Sequence, residues 1–288
     1  MSKVFLNDRL VDETDAMVSV ADGGLLYGAG LFETMRTCHR KVFGLDDHLD
    51  RLFASSRHLS IDLPFDKTFL ASNIDQVLEA NGLTDARLRL TLTSGPISVP
   101  DDQRRPTLLI AATTLQGYAA EYYNKGVRVI LCPYRQNPSD PLTGHKSTSY
   151  FPRMLALRLA HQGGAAEALW FTPDGMLAEG CVSNIFLVKE GCILTPPLDT
   201  PVLPGIARKT VSRIATEQSM EWFERALTID DLLGADEAFL TNVIMKVLPV
   251  TGIEKHSVGN GSIGPISRQL LVAFDEQIEN QCGKGKGK

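Results

Sequence analysis

The spacing of apolar residues changes along the chain and predicts helices mixed with short strands. Apolar residues recur at helical spacing in six segments, at 45–59, 65–83, 151–162, 208–219, 228–233 and 266–279. Alternating or continuous apolar runs between turn residues predict strands at 3–6, 9–12, 86–93, 107–114, 127–132, 168–171, 176–178, 185–188, 192–194 and 237–241. Strands and helices in this order are typical of an α+β fold.

Two places along the chain indicate boundaries. Residues 116–125 show no clear apolar period, so we predict a smaller N-terminal α+β domain at 1–120 and a larger C-terminal α+β domain at 126–288. The larger domain would then carry Lys146. The repeated Gly-Lys pairs of 283–288 predict a terminal tail without fixed structure.

The composition is that of a globular protein and argues against several classes of partner. The chain has 288 residues, of which 43% are hydrophobic, and a formal net charge of -5. A chain with this charge is poorly suited to nucleic acid or to an anionic membrane, so we expect a small-molecule ligand. Charged Asp8 and Arg9 interrupt the N-terminus before an apolar signal segment could form, and we expect a cytoplasmic protein.

The cysteines and histidines do not predict a metal site. The five cysteines are scattered, odd in number and without a C-x-x-C pair, which argues against both a disulfide framework and structural zinc. The six histidines lack the spacing of metal ligands. His145 stands beside a lysine of interest, Lys146, and either tunes that lysine or simply packs against its neighbours.

Three segments together carry the elements that pyridoxal 5'-phosphate (PLP) requires. Lys146 follows Gly144-His145, Glu179 lies in an apolar stretch about thirty residues later, and Gly205 follows Leu203-Pro204 before a helix. A lysine can form the Schiff base, a carboxylate can pair with the protonated pyridine nitrogen, and a helix start can hold the phosphate. One cofactor accounts for all three segments.

Each of these residues also has an ordinary interpretation when it is taken alone. Most lysines are solvated charges, and a turn followed by a helix needs no ligand at Gly205. Glu179 would be costly in its apolar surroundings without a cationic partner. Arg51, among the acids of 47–51, is either a helix-surface residue or a phosphate ligand, because its planar fork suits both.

The joint pattern resembles the class IV aminotransferases, which are PLP enzymes of fold type IV. This family includes branched-chain and D-amino acid aminotransferases and 4-amino-4-deoxychorismate lyase. The resemblance covers nearly the whole chain and rests on six motifs in order, at 22–34, 48–52, 146–150, 179–186, 203–206 and 239–250. It implies a two-domain α+β fold like that of D-amino acid aminotransferase, with the cofactor between the domains, and a homodimer that completes the active site.

The resemblance also implies roles for individual residues. The catalytic residues would be Lys146, which forms the Schiff base and moves the α-proton, Glu179, which keeps the pyridine nitrogen protonated, and Tyr150, which binds the cofactor's phenolic oxygen. Further cofactor contacts would come from Arg51, Ser183, Asn184, Gly205, Ile206, Ala207, Asn242 and Val243. The substrate would meet Phe32, Thr93 and Arg135.

Departures from the family pattern narrow the expected activity. Many relatives have a threonine where Ala207 stands and another hydroxyl residue at the position of Val243, so phosphate binding here would rely more on backbone groups. Phe32 replaces an expected substrate tyrosine. Residues 93–97 lack the Arg-x-His pair with which D-amino acid aminotransferases hold the substrate carboxylate, which argues against a typical enzyme of that kind.

Three functions stay open at this point. The leading hypothesis is an aminotransferase that moves an amino group between an amino acid and a 2-oxo acid in a ping-pong cycle. Residues 241–250 are closer to the pattern of 4-amino-4-deoxychorismate lyase, which serves p-aminobenzoate and folate synthesis. Against the lyase, 95–105 lack the arginine- and glycine-rich loop expected of it. A non-catalytic PLP-binding relative is the third, more remote possibility.

Overall fold

A computed structural model describes residues 2–100 and 103–283, and these divide into two compact units. The first unit takes its residues from Met1–Gln116, His145–Tyr150 and Ile278–Lys288. The second comprises Gly117–Gly144 and Phe151–Gln277. Lys146 therefore packs with the first unit. The proposed limits of the folding domains, 1–120 and 126–288, stay a prediction, and of the predicted tail all but Gly283 lies outside the described residues.

The first unit is an antiparallel sheet with helices on one face. Its strands are β1 (Lys3–Leu6), β2 (Arg9–Asp12), β3 (Gly30–Cys38), β4 (Lys41–Val42), β5 (Ala86–Thr93) and β6 (Leu108–Thr114), in the order β2-β1-β6-β5-β3-β4. Its helices are α1 (Gly23–Tyr27), α2 (Leu45–His58) and α3 (Lys67–Ala80). The predicted hairpin at the N-terminus and the predicted helices at 45–59 and 65–83 are confirmed.

The two faces of this sheet differ in polarity, and β5 shows why. Leu88, Leu90 and the other even-numbered residues of β5 are buried in the core with α2 and α3. Arg87 and Arg89 alternate with them and face the opposite side, which the side-chain period of two requires. The polar face of the first unit's sheet thus carries a pair of arginines.

The second unit is a mixed sheet with helices packed around it. Its strands are β7 (Val127–Arg135), β8 (Glu167–Phe171), β9 (Asn184–Lys189), β10 (Cys192–Thr195), β11 (Trp222–Glu224), β12 (Glu237–Asn242), β13 (Lys246–Ile253) and β14 (His256–Ser257), ordered β11-β10-β9-β12-β13-β7-β8 with β14 on β13. Its helices are α4 (Ala120–Lys125), α5 (Phe151–Gln162), α6 (Ile206–Glu217), α7 (Ile229–Leu233) and the greater part of α8 (Pro265–Cys282). Within the described residues, no helix has the length and apolar content that crossing a bilayer would take.

One predicted strand is wrong and several elements were not predicted. Residues 176–178 form no strand: Leu177 makes an isolated bridge to Phe171, and the Ala178 N–H donates to the Trp170 carbonyl at 2.9 Å. Strand β3 went unpredicted because it is buried at most positions and shows no alternation. The segment 116–125, in which no apolar period was recognised and where the domain junction is predicted, contains α4.

Candidate active site

Lys146 is fixed by backbone hydrogen bonds to the start of β3. Its carbonyl accepts from the N–H of Phe32 at 2.9 Å, and the N–H of Thr148 donates to the carbonyl of Gly30 at 2.8 Å. Ser147, between these two residues, bridges Leu31. The lysine is therefore held at the edge of a sheet, although it is part of a loop in sequence.

Aromatic and cationic groups surround the Lys146 side chain. Its ammonium nitrogen Nζ lies 4.6 Å from the centroid of the Phe32 ring and 5.9 Å from that of Tyr150. The two rings pack edge to face at 5.3 Å. The guanidinium carbon of Arg89 lies 3.8 Å from the Phe32 centroid, so Phe32 contacts two cations. The structure brings Lys146, Tyr150 and the predicted substrate residue Phe32 together.

The glycine-rich segment before β3 shapes this edge. Gly28 ends α1 with φ of 67°, and a Cβ there would lie 2.5 Å from the hydroxyl oxygen of Ser149, so only glycine allows the Lys146 loop to approach. Asp22, fully buried, accepts from the Gly24 N–H and from the hydroxyls of Thr93 and Thr107. Thr93 was predicted to meet substrate, and its hydroxyl is instead bound to Asp22.

Arg51 lies in a buried network with Glu33 and His48. Its Nε donates to one Glu33 oxygen at 2.8 Å and its terminal nitrogen to the other at 2.5 Å. Burial opposes ionisation of Glu33, but Arg51 and His48 outweigh it and hold the pKa of Glu33 at about 2. Burial lowers the pKa of His48, against the opposing effect of the neighbouring Glu33. Glu33 therefore orients the Arg51 fork.

In the second unit, Glu179 is a buried carboxylate with donors to both of its oxygens. One oxygen accepts from Arg153 at 2.5 Å and from the Gln136 amide at 3.1 Å. The other accepts from the Leu203 N–H at 3.0 Å and from the Asn184 amide at 3.4 Å. The expected cationic partner is Arg153, and four donors saturate the acceptor capacity of an ionised carboxylate.

The start of α6 lies next to the same residues. Asn184 also donates to the Leu203 carbonyl at 2.9 Å, and a Cβ on Gly205 would lie 2.0 Å from the Asn184 side-chain oxygen. Gly205 offers no side chain to cap the helix, so the first N–H groups, at Ile206 and Ala207, have no capping group from it. A helix start of this kind, with glycine at its N-cap, leaves N–H groups that can bind an anion.

Three further predicted cofactor residues, Ser183, Asn242 and Val243, and the unpredicted Thr241 lie in or directly beside β9 and β12. Thr241 pairs with Asn184 across β12 and β9, and its hydroxyl is buried without a hydrogen-bond partner among the described residues. Asn242 donates to the Val182 carbonyl and accepts from the N–H groups two and three residues later, which leaves its side chain a structural role. Ser183 and Val243 are both buried.

Glu167 is a second buried carboxyl beneath this loop. Burial raises its pKa to about 7, although the N–H of Val182, which donates to it at 3.1 Å, opposes the shift. Gly180 lies directly against it, since a Cβ there would stand 2.4 Å from the Glu167 oxygen. Glu167 therefore changes its protonation state near neutral pH while packed against the loop that carries Ser183 and Asn184.

The remaining predicted site residue, Arg135, makes hydrogen bonds within its own strand. It lies at the end of β7 and donates to the carbonyls of Cys132 and Tyr134 in its own strand. Three residues of these networks, Arg89, Gln136 and Arg153, were not predicted from the sequence. A signal for Arg89 was present in the sequence. Polar and apolar residues alternate over 86–89, and this alternation places Arg87 and Arg89 on the polar face of a predicted strand.

Known proteins are similar to this chain over almost its whole length. The profile of the family described as Amino-transferase class IV matches residues 30–253. The chain belongs to the class IV aminotransferases. Its two-sheet α+β structure matches solved fold-type IV aminotransferases, so the predicted fold class is confirmed, and as a member of this family it is an enzyme.

The relatives of this class IV aminotransferase differ in activity. A protein of Methanocaldococcus jannaschii provisionally named a branched-chain-amino-acid aminotransferase is 37% identical, over 95% of this chain and 96% of its own length. The aminodeoxychorismate lyase of Bacillus subtilis is 31% identical, over 99% and 98%. The branched-chain amino acid aminotransferase of Escherichia coli has a TM-score of 0.92 at 27% identity, with 99% of this chain and 97% of that chain covered.

The family's cofactor can be tested against the residues of each unit. Another solved branched-chain amino acid aminotransferase, 28% identical with a TM-score of 0.91, is described with pyridoxamine 5'-phosphate. In this chain the first unit provides a fixed lysine beside a tyrosine. The second provides a buried carboxyl group bonded to Arg153, an uncapped helix start and the Thr241 hydroxyl, which has no hydrogen-bond partner within the described part of the chain. These groups match the imine, ring nitrogen and phosphate of PLP, so the residues fit the cofactor.

Proposed function

We propose that this enzyme is a PLP-dependent aminotransferase that moves an amino group between an amino acid and a 2-oxo acid in a ping-pong cycle. The observation that carries the proposal is the placement of Lys146. Backbone hydrogen bonds on either side hold it in place, and its Nζ lies 4.6 Å from the Phe32 ring centroid and 5.9 Å from that of Tyr150. A lysine fixed in this way beside a tyrosine suits covalent attachment of a carbonyl cofactor.

The proposed roles divide among the two units. Lys146 carries the cofactor and moves the α-proton, and Tyr150 donates to its phenolic oxygen. Arg51, oriented by Glu33, and the N–H groups of Ile206 and Ala207 bind its phosphate. Glu179 keeps its ring nitrogen protonated. When bound, the cofactor supplies an electron sink for the negative charge that develops at the substrate's α-carbon.

We propose that Arg89 binds a substrate carboxylate. Its Nε donates to the Thr91 hydroxyl at 3.2 Å, and the described residues provide no ion pair for its guanidinium. Burial lowers its pKa, and the neighbouring Arg87 lowers it further, so an anion near Arg89 would relieve both penalties. The apolar Phe32 beside it fits an amino acid with an apolar side chain, which agrees with the branched-chain names of two relatives.

Replacing Arg89 with methionine is expected to raise KM for the amino acid roughly 10- to 100-fold, because a charge-assisted hydrogen bond is worth about 1.5–3 kcal/mol. Steady-state kinetics with a fixed 2-oxo acid measure the change. Arg87→Met is the control, since Arg87 is two residues away on the same face. Equal losses in both variants would show a general effect of charge and contradict a carboxylate contact at Arg89.

A lyase acting on 4-amino-4-deoxychorismate is the second candidate. It is favoured by the 31% identity to the Bacillus subtilis lyase, which extends over 99% of this chain. Structural similarity argues against the lyase. A structure from Legionella pneumophila, provisionally named a 4-amino-4-deoxychorismate lyase, has a TM-score of 0.83 to this chain at 25% identity. The Escherichia coli aminotransferase has a higher TM-score, 0.92. We therefore place the transaminase first.

One set of measurements tests the cofactor and separates the two activities. The purified protein is treated with borohydride, and peptide mass spectrometry locates the modified residue; we expect Lys146. Visible spectra are then recorded while L- and D-amino acids are added one at a time. Conversion to the pyridoxamine form by an amino acid supports transamination. Release of pyruvate from 4-amino-4-deoxychorismate without such conversion would favour the lyase, and no modified lysine would reject the cofactor.

We further propose that the protein is a homodimer in the cytoplasm. Support comes from an exposed apolar segment of the first unit, around α1, in which Met17 and Val20 are each 82% exposed and Tyr27 is 71% exposed. Such a segment is typical of an interface between subunits. All five cysteines are free thiols, as a reducing compartment favours.

Leu25→Glu, at a position 66% exposed within this segment, is expected to give a monomer, because a charge would be buried in the proposed interface. Light scattering coupled to size exclusion measures the mass. Val272→Glu, equally apolar and 59% exposed on α8, is the matched control. A wild-type monomer, or a Leu25→Glu dimer, would contradict the proposed interface.

A further inference from the structure

Four potential metal ligands meet at one end of the first unit, and none of them takes part in the proposed cofactor chemistry. Cys38 ends β3, and His39 is the first residue of the turn to β4. Glu279 and Cys282 lie in the last turns of α8, three residues apart and so on one face of the helix. The two pairs are about 240 residues apart in sequence.

The ligand atoms lie close together. The Cys38 sulfur is 3.6 Å from one Glu279 oxygen, and the His39 Nε2 is 3.6 Å from the other. One ligand atom from each of these three residues lies within 4.8 Å of the other two. The Cys282 thiol contacts both the backbone N–H and the thiol of Cys38, and it donates to the Lys41 carbonyl at 3.5 Å. The group of three therefore offers one sulfur, one nitrogen and one carboxylate, and the Cys282 thiol beside Cys38 is the fourth candidate ligand, which would move toward the ion on binding.

The two thiols of this cluster would have to ionise to bind a cation. Burial is the largest cause that raises the pKa of Cys38 to about 12, and the neighbouring Cys282 and Glu279 contribute to the same shift. Burial also raises the pKa of Cys282. Without a cation, ionising either thiol beside the Glu279 carboxylate is unfavourable, because the negative charges repel each other. A divalent cation among them would turn each repulsion into an attraction and release the two thiol protons to solvent.

The turn that presents His39 is in an uncommon conformation. His39 and Arg40 have φ of 52° and 67°, the left-handed region that a two-residue hairpin turn requires and that glycine or asparagine usually fills. The Arg40 N–H donates to the Thr84 carbonyl at 2.8 Å, and the His39 N–H to Asp85 at 3.3 Å. These contacts fix the turn so that the imidazole meets Glu279.

We propose that Cys38, His39, Glu279 and Cys282 bind a zinc ion. Zinc takes four ligands in a tetrahedron, with bonds of about 2.3 Å to sulfur and about 2.0 Å to nitrogen or oxygen, so its ligand atoms lie roughly 3.3–3.8 Å apart. Cys38 and His39 each lie 3.6 Å from a different oxygen of Glu279, so the carboxylate would turn to bring one oxygen to the ion. His39 and Glu279 side chains are 44% and 50% exposed, which gives the ion a path from solvent.

The zinc would tie the end of α8 to the β3–β4 hairpin. Gly283 follows the cluster directly, so the site lies at the end of the described chain. A cross-link between residues so far apart in sequence restricts the unfolded chain more than a local one, and zinc binding adds to folding stability because the unfolded chain has no such site. The site is structural, since its four protein ligands leave no position open for substrate.

The test is metal content and cobalt spectroscopy on the full-length protein. The chain is purified without chelators or affinity metals, and zinc is counted by mass spectrometry; we expect one ion per chain. Replacement by cobalt should give the near-ultraviolet charge-transfer absorption of cobalt–thiolate bonds. Cys38→Ser and His39→Asn should each weaken zinc binding at least about tenfold in competition with a chromophoric chelator. Asparagine keeps the left-handed turn, so His39→Asn removes the ligand without straining the hairpin.

Cys192→Ser is the matched control, because Cys192 is a partly buried thiol of the second unit with no part in the cluster. Its zinc content should equal that of the wild type. Zinc below about one tenth of an ion per chain after incubation with a stoichiometric supply would overturn the proposal. So would equal losses in Cys192→Ser and Cys38→Ser, or native mass spectra showing a Cys38–Cys282 disulfide in place of metal. None of these readouts depends on PLP or on activity.

Discussion

Glu179→Gln is expected to keep the cofactor and to lose about 10²- to 10³-fold in kcat. A neutral amide cannot stabilise a protonated ring nitrogen as a carboxylate does, and removing one electrostatic contact to the charge that develops during reaction costs this much in other enzymes. Cofactor attachment should survive, because it depends on Lys146 and on the phosphate contacts. The loss should therefore appear in kcat, with the cofactor content unchanged.

The experiment must separate catalysis from stability, because Arg153 loses its anionic partner in this variant. Arg153 donates to Glu179 at 2.5 Å and also to the Gly180 carbonyl at 3.0 Å. An unpaired, mostly buried cation lowers stability, so thermal midpoints are measured first and kinetics are run well below them. Glu221→Gln, an exposed carboxylate of the same unit, is the control. Wild-type turnover in Glu179→Gln would remove Glu179 from the ring-nitrogen role.

The sequence identified those parts of the candidate site that lie in contiguous segments. Lys146, Glu179 and Gly205 each stand in a short stretch whose local pattern already indicates a loop, an apolar environment or a helix start. The structure supports those local interpretations: Lys146 precedes a residue bridged to β3, Glu179 is buried with donors, and Gly205 begins α6. The local sequence pattern was enough to predict these features, because the residues that form each pattern and the residues that form the local structure lie within a few positions of each other.

The sequence did not identify side chains whose meaning depends on a distant partner. Arg153 is an ordinary helix residue until the fold places it on Glu179, 26 residues later. The cysteines were judged by spacing along the chain, and that criterion cannot detect Cys38 and Cys282, which come together only through the fold. Strand β3 was missed for a related reason: burial of nearly every residue removes the alternation by which a strand is recognised.

The hydrogen-bond partners of two predicted site residues, Thr93 and Arg51, also change the roles expected of them. Thr93 was expected to meet substrate, yet Asp22, 71 residues earlier, accepts from its hydroxyl at 2.8 Å. Arg51 was left between surface charge and phosphate ligand, and the structure shows it buried on Glu33. A carboxylate that orients an arginine fork leaves the guanidinium in one fixed plane, which favours recognition of a phosphate over a solvated role.

Glu167→Gln is expected to remove a large part of the pH dependence of stability between pH 5 and 8. The folded-state pKa of Glu167, about 7, lies above its ordinary value of 4.5. A raised acid pKa contributes stability that is complete below the unfolded value and is lost as pH rises through the folded one. The shift corresponds to roughly 3 kcal/mol in the free energy of unfolding, lost from the wild type by about pH 8.

Urea denaturation of both proteins at several pH values measures this difference. Every other titrating group is common to the two proteins, so the difference between their free energies of unfolding isolates the contribution of Glu167. Glu33, with a pKa of about 2, contributes to stability only at acidic pH and with the opposite sign. Relative to wild type, Glu167→Gln should become more stable by roughly 2.5 kcal/mol on going from pH 5 to pH 8. Glu190→Gln, exposed on the β9–β10 turn, should show no such change. A difference that is constant with pH would contradict the buried titration.

The same ionisation should also loosen the loop that carries Ser183 and Asn184. The Val182 N–H donates to the Glu167 carboxyl, and Gly180 packs directly against it, so a charge that appears there above pH 7 must find solvation at the expense of that packing. Hydrogen exchange of the loop amides should then accelerate above pH 7 in the wild type, beyond the intrinsic pH dependence of exchange that Glu167→Gln provides as a baseline. Equal acceleration of exchange in both proteins would show that the motion of the loop does not depend on the ionisation of Glu167.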